Sequence, residues 1–207
     1  MCGRFSIDAT IEAMSRRFSA APMLHPLTAE KIVYPTMLVA MVVEGNDVAP
    51  SRLLVSANWG LGAGAGKQLI INARSETIKE KSLFSDAFNY RRGIIPATSF
   101  FEWEGLGGQK LPHEYFLPGR EIFGLGAIYS DKNGDDGSVG EVVIITVPAI
   151  KPVDKTHGRM PLVLNASMER QWLSRGPLAD QVWADCLQES PVAKMQDRCP
   201  MNHLFPE

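Results

Sequence analysis

The sequence has few of the residues that build metal sites and disulfide frameworks. Its three cysteines, Cys2, Cys186 and Cys199, are odd in number and include no C-x-x-C. Its four histidines show neither H-x-x-x-H nor H-E-x-x-H spacing. A zinc site has no support, no metal or other cofactor is expected, and a disulfide-stapled miniprotein is excluded. Long apolar runs are missing too. Met37 to Val43 and Val142 to Val147 fall far short of the roughly 20 residues a spanning helix requires, so no membrane anchor is expected. Met1-Cys2-Gly3-Arg4-Phe5 has no basic region followed by an apolar one; with no secretory signal expected, the cytoplasm is the default location. Nor is there an excess of either charge. The 21 basic and 23 acidic residues leave a net charge of −2, which excludes a protein that coats nucleic acid by bulk charge but leaves room for a local basic cleft.

What is present suits an ordinary globular chain: 207 residues, 45% hydrophobic and 21% charged, are enough to bury a sizeable core. No repeat, linker or composition break divides residues 1–207, so one α+β domain is expected, mainly antiparallel β with helices at its margins. Ile11, Met14 and Phe18 recur at helical spacing after Asp8, a candidate N-cap. Met37 to Val43 and Leu53 to Ala57, separated by Glu44-Gly45-Asn46-Asp47, read as a hairpin. Leu69 to Asn72 reads as a strand, and Ser75 as the cap of a helix through Ile78, Leu83 and Phe84. Ile94 to Trp103, His113 to Leu117, Glu121 to Tyr129 and Glu141 to Val147 read as an antiparallel meander broken by Gly-rich turns. Ser167 opens a helix through Trp172, Leu178 to Leu187 suggests another, and a polar tail runs from Ser190.

Gly60-Leu61-Gly62-Ala63-Gly64-Ala65-Gly66-Lys67 invites a nucleotide reading, but Gln68 stands where a P-loop needs Ser or Thr; a flexible surface loop fits better. Cys2 is the sharpest feature. Removal of Met1 leaves a thiol and an α-amine on one carbon, with reference pKa values of about 8.5 and about 7.7–8.0, so both are reactive at neutral pH. An aldehyde is their natural electrophile: the amine forms an imine and the thiol closes onto it as a five-membered thiazolidine. The plainer reading is an ordinary second residue.

Asn72, Arg74 and Glu76 alternate along Ile71 to Thr77, so a persisting strand points them to one face, Asn72 toward a substrate hydroxyl and Arg74 toward a phosphate. Capping and a surface ion pair would account for them equally well. Glu102, in Ser99-Phe100-Phe101-Glu102-Trp103, is flanked by aromatics; burial would raise its pKa and make it a proton carrier near neutral pH, whereas an exposed edge strand would not. His157, in Thr156-His157-Gly158-Arg159-Met160-Pro161, suits acid catalysis beside an anion or is a solvated loop histidine.

Together, Met1-Cys2-Gly3-Arg4-Phe5, Trp59-Gly60-Leu61, Ile71-Asn72-Ala73-Arg74-Ser75-Glu76-Thr77, Phe101-Glu102-Trp103 and His157-Gly158-Arg159-Met160-Pro161 resemble, in order and spacing, the SRAP family of abasic-site-processing proteins once called SOS-response-associated peptidases. The resemblance implies a β-rich fold that binds single-stranded DNA and traps an abasic site as a thiazolidine on Cys2. It implies that Asn72 and Glu102 position and shuttle protons, that His157 assists opening of the sugar ring, and that Arg4, Arg74, Arg159 and Trp59 contact DNA. A cytoplasmic monomer, nucleoid-associated when bound, goes with it. Two departures stand out: a Gly/Ala loop over residues 62–66 replaces the family's Pro-x-Trp, and Ile32-Val33-Tyr34-Pro35-Thr36-Met37 stands where Asn-x-Ala-Pro is expected. A lost stacking aromatic is worth about 1–3 kcal/mol, so weaker DNA binding with the covalent step intact is expected. The alternatives are an N-terminal-nucleophile amidohydrolase, whose Asn-Gly-Asp and His-Thr-Arg elements appear here only scrambled, and a noncatalytic single-strand binder.

Overall fold

Two sheets arise because the apolar runs differ in how far they stay buried. The computed structural model describes residues 2–23, 31–45, 51–62, 68–130, 139–176 and 187–192. In chain order the elements are β1 (Phe5–Ser6), α1 (Ile11–Phe18), β2 (Ala21–Met23), β3 (Ile32–Val33), β4 (Leu38–Glu44), β5 (Arg52–Trp59), β6 (Asn72–Arg74) and α2 (Ser82–Tyr90). There follow β7 (Arg92–Ala97), β8 (Ser99–Leu106), β9 (Gln109–Phe116), β10 (Phe123–Tyr129), β11 (Glu141–Pro148), β12 (Arg159–Pro161), β13 (Val163–Leu164), α3 (Ala166–Leu173) and β14 (Gln188–Pro191). This is the expected α+β class, rich in antiparallel pairs.

The larger sheet closes on itself. Antiparallel pairing runs β5–β4–β7–β10–β11, and β11 returns to β5 through a parallel contact, Glu141 opposite Asn58 and Val142 opposite Trp59. Val142 to Val147 is buried throughout, as a strand covered on both faces must be, and this is why its sequence runs apolar without alternation. Gly93 lets β4 and β7 approach, since a Cβ there would lie 2.5 Å from Met41 Sδ. The smaller sheet, ordered β14–β9–β8–β1–β3, is shallower, and its β8–β9 hairpin ends in exposed residues.

Several expectations are corrected. The run Ile94 to Trp103 is two strands in different sheets: at Thr98 the chain crosses over, its backbone N–H bonding Ser6 O at 2.8 Å. The meander is likewise divided: β8 pairs with β9 in the smaller sheet and β10 with β11 in the larger, each antiparallel. Thr10, not Asp8, caps α1, its hydroxyl accepting from the Ala13 N–H at 3.2 Å, while Asp8 bonds Lys31 at 2.9 Å. Ser75 caps no helix: its N–H is committed to Thr146 O at 2.9 Å, residues 75–80 form turns, and α2 starts at Ser82. Leu69 to Asn72 is a bridge at Ile70 followed by β6. Asn165 rather than Ser167 caps α3, accepting from the Ser167 and Met168 N–H groups at 3.0 Å each. Ser190, where a tail was expected to begin, lies within β14, which adds a strand to β9. The expected helix from Leu178 and the glycine-rich loop over residues 63–67 lie outside the described residues.

Candidate functional site

Three segments far apart in sequence meet between the two sheets. β1 lies between β8 and β3, and the Phe101 N–H bonds Arg4 O at 3.0 Å, which lays the N-terminal segment beside Glu102. The turn after β11 carries His157. Its Nδ1 lies 3.6 Å from Glu102 Oε2. Cys2 is fully buried with its thiol directed at Arg4 O, 3.9 Å away. Burial pushes the Cys2 thiol well above its ordinary range, and the Glu102 carboxylate pushes it further. Burial also raises Glu102, which is 1% exposed, against the opposing pull of His157. A thiol raised that far stays protonated near neutral pH, so thiol and carboxyl together carry at most one negative charge there.

His157 Nδ1 sits 2.9 Å from Arg159 O and 3.0 Å from Arg159 N. Neutral, it accepts the Arg159 N–H and keeps its proton on Nε2; protonated, it donates from Nδ1 to the carbonyl. One position therefore serves both protonation states. Arg159 is anchored in turn: its guanidinium donates to both Glu76 oxygens, to Thr146 O at 2.6 Å and to Thr146 Oγ1 at 3.1 Å. That pairing holds the Glu76 carboxyl down at about 2. Glu76 thus pairs with Arg159 and not with Arg74, and Arg159 is a brace between the His157 turn and the segment after β6, already engaged where a phosphate contact was expected.

Asn72 opposes Ile144 of β11. Its Nδ2 donates to Ile71 O at 3.0 Å, while Oδ1 is buried with no hydrogen-bond partner among the described residues, an acceptor in want of a donor. Arg74 is exposed. Arg4 is buried, its guanidinium 4.6 Å from the Tyr34 ring and 4.9 Å from the Trp103 ring. Trp59 does not fit the DNA contact expected of it. It is 0% exposed, its indole N–H bonds Ile71 O at 3.1 Å, and its ring packs against Phe5 at 5.2 Å, so no face is open to a base. The Trp-Gly-Leu motif is structural: Gly60 has φ 122°, and a Cβ there would lie 2.7 Å from Leu69.

Sequence reasoning missed Tyr34 and Trp103 as stacking partners of Arg4, and Tyr115, whose hydroxyl meets that of Thr156 beside His157. Only Trp103, adjacent to Glu102, carried a local signal. Among the described residues no cluster of three His, Cys, Asp or Glu could hold a metal ion. No helix among them is long and apolar enough to cross a membrane, which says nothing of β-barrels.

The chain is similar to characterised proteins along most of its length. It is 30% identical over 186 residues to the abasic site processing protein YoqW of Bacillus subtilis (strain 168), covering 84% of this chain and 80% of the relative. It is 34% identical over 119 residues to the abasic site processing protein YedK of Escherichia coli (strain K12), covering 56% and 52%. Among solved structures, a phage-related protein of Bordetella bronchiseptica superposes with a TM-score of 0.73 at 20% identity over 93% of this chain and 95% of that one, a likeness of fold alone. The family model of the SOS response associated peptidases matches residues 1–199, and the chain belongs to that family, SRAP.

Proposed function

We propose that the protein processes abasic sites in single-stranded DNA by forming a covalent thiazolidine through Cys2 once Met1 has been removed. The observation that carries this reading is the convergence of a buried thiol, a buried carboxyl and an imidazole, with Glu102 3.6 Å from His157 and its charge acting on Cys2. The relatives named as abasic site processing proteins support it.

The chemistry follows from the protonation states. His157 gives a proton to the ring oxygen as the abasic sugar opens to its aldehyde. The Cys2 α-amine adds to that carbonyl and water leaves, giving an imine. A resting thiolate is disfavoured, so the S–H proton must be removed as sulfur attacks the imine carbon. Glu102 accepts it and returns it to the nitrogen, and the net change is aldehyde plus aminothiol to thiazolidine plus water. Removing the imine removes the species that permits β-elimination, so the strand stays intact. Asn72 Oδ1 offers an acceptor for a hydroxyl or iminium N–H. Exposed Arg74 and aromatic-flanked Arg4 hold phosphates, and Arg159 reaches one only by exchanging Glu76 for it.

The test is crosslinking of the Met1-free protein to single-stranded abasic DNA, read on a denaturing gel without reductant. Wild type gives a stable adduct and Cys2→Ala gives none. A full-yield adduct from Cys2→Ala contradicts the reading.

A further inference from the structure

The Tyr115 hydroxyl bonds the Thr156 hydroxyl, and this contact lies outside every role assigned above. Tyr115 is on β9, its ring fully buried and stacked on Phe100 of β8 with centroids 5.3 Å apart and planes at 22°. Phe100 and Glu102 are two apart on β8 and so share a face, and their cross-strand partners are Tyr115 and His113. Thr156 immediately precedes His157, in a turn closed by the Thr156 and His157 N–H groups on Val153 O at 2.9 and 3.0 Å. The Glu102 sheet and the His157 turn are therefore joined twice, once through the Glu102–His157 contact and once through two uncharged hydroxyls.

The two links behave differently during reaction. Glu102 and His157 each gain or lose a proton in the proposed chemistry, so the charge attraction between them comes and goes. A hydroxyl pair does not change charge, and burial pushes the Tyr115 phenol up to about 12, which keeps it protonated. We infer that Tyr115, through its bond to Thr156, is a positioning residue that holds the His157 turn against Glu102 while the charges on that pair change. This rests on His157 acting in the abasic-site chemistry proposed above.

The experiment uses the Met1-free full chain as wild type, Tyr115→Phe, Thr156→Val, Thr156→Ser and the Tyr115→Phe/Thr156→Val double variant. Tyr115→Phe keeps the ring and its stacking. Two readouts are taken: single-turnover crosslinking as a function of abasic DNA concentration, and the 1H–13C resonances of the His157 ring in the DNA-free protein. Displacement of a catalytic group by about 1 Å costs up to about 10²-fold, so a fall of about tenfold in the saturated crosslinking rate is expected for Tyr115→Phe and Thr156→Val, with the half-saturating DNA concentration unchanged. Thr156→Ser, which keeps a hydroxyl, retains the wild-type rate, and the double variant is no slower than the slower single one. The His157 resonances move in Tyr115→Phe and Thr156→Val and stay in place in Thr156→Ser. His157 resonances unmoved in Tyr115→Phe overturn the inference, as does a wild-type crosslinking rate for that variant. If wild type forms no crosslink the proposed function fails, and the resonances alone still decide whether Tyr115 places His157.

Discussion

Glu102 Oε2 stands 3.6 Å from His157 Nδ1, across a gap of 55 positions in sequence and between two different sheets. Burial raises the Glu102 carboxyl, and the chain's α-amine and then the His157 imidazole oppose that rise. In the proposed chemistry His157 supplies the proton to the ring oxygen and Glu102 carries the thiol proton to nitrogen.

If His157 is the acid that opens the sugar, His157→Ala slows adduct formation by about 10²-fold or more, the range for a positioned general acid. If Glu102 is the proton carrier, it acts in both directions by microscopic reversibility. Glu102→Gln therefore slows formation and lengthens the lifetime of pre-formed adduct, measured by chase with excess unlabelled abasic DNA. Unchanged formation and release in Glu102→Gln reduce Glu102 to a structural residue.

Glu102 also makes stability depend on pH. Its folded-state value lies above that of the unfolded chain, so the folded protein binds more protons between the two values and loses stability as pH rises through that window. Glu102→Gln removes this term. Its melting temperature is expected to exceed that of wild type at pH 7–8, with the difference shrinking on acidification toward the ordinary carboxylate range. Parallel melting curves at all pH values contradict the assignment.

Much of this was legible in the sequence, and what was not has a physical cause. The apolar runs at 37–43, 53–57 and 141–147 lie close to the observed strands at 38–44, 52–59 and 141–148, because burial of the chain is what those residues record. Helix caps were misplaced, by two residues at α1 and α3 and by six at α2, since Asp8, Ser75 and Ser167 all have capping side chains but Thr10, Lys81 and Asn165 occupy the positions where the backbone turns. The aromatic flanks of Glu102 allowed either burial or an exposed edge strand, and the structure buries it. The fate of Trp59 was not foreseen, because a motif tryptophan looks the same whether it faces a base or the Ile71 carbonyl. The Arg159–Glu76 and Tyr115–Thr156 pairings, 83 and 41 residues apart, leave no trace in local pattern.

Phosphate contacts separate by salt dependence. Each phosphate neutralised on single-stranded DNA contributes about −0.7 to the slope of log affinity against log salt. Arg74→Ala is expected to make the slope shallower by that amount, whereas Arg159→Ala, whose guanidinium is held by Glu76 and Thr146, changes it less. A larger change for Arg159→Ala reverses the two assignments.

Arg17 ties α1 to α3 through a bidentate contact with the buried Glu169, at 2.8 and 3.1 Å, and its Nε donates to Ile122 O at 3.0 Å. Arg17→Met leaves a carboxylate buried and unpaired, at a cost of about 3 kcal/mol by denaturant unfolding. The Arg17→Met/Glu169→Gln double variant recovers part of the loss, because the uncompensated charge is gone. An unchanged midpoint for Arg17→Met makes the contact energetically idle.

The covalent step is tested most directly by the mass of the N-terminal peptide released by protease from the adduct with abasic single-stranded DNA. The account predicts a peptide starting at Cys2, without Met1, carrying the opened sugar with loss of one water, and no mass gain on borohydride treatment because no imine remains. A peptide that gains two hydrogens on borohydride treatment, or an adduct carried on any residue other than Cys2, contradicts it.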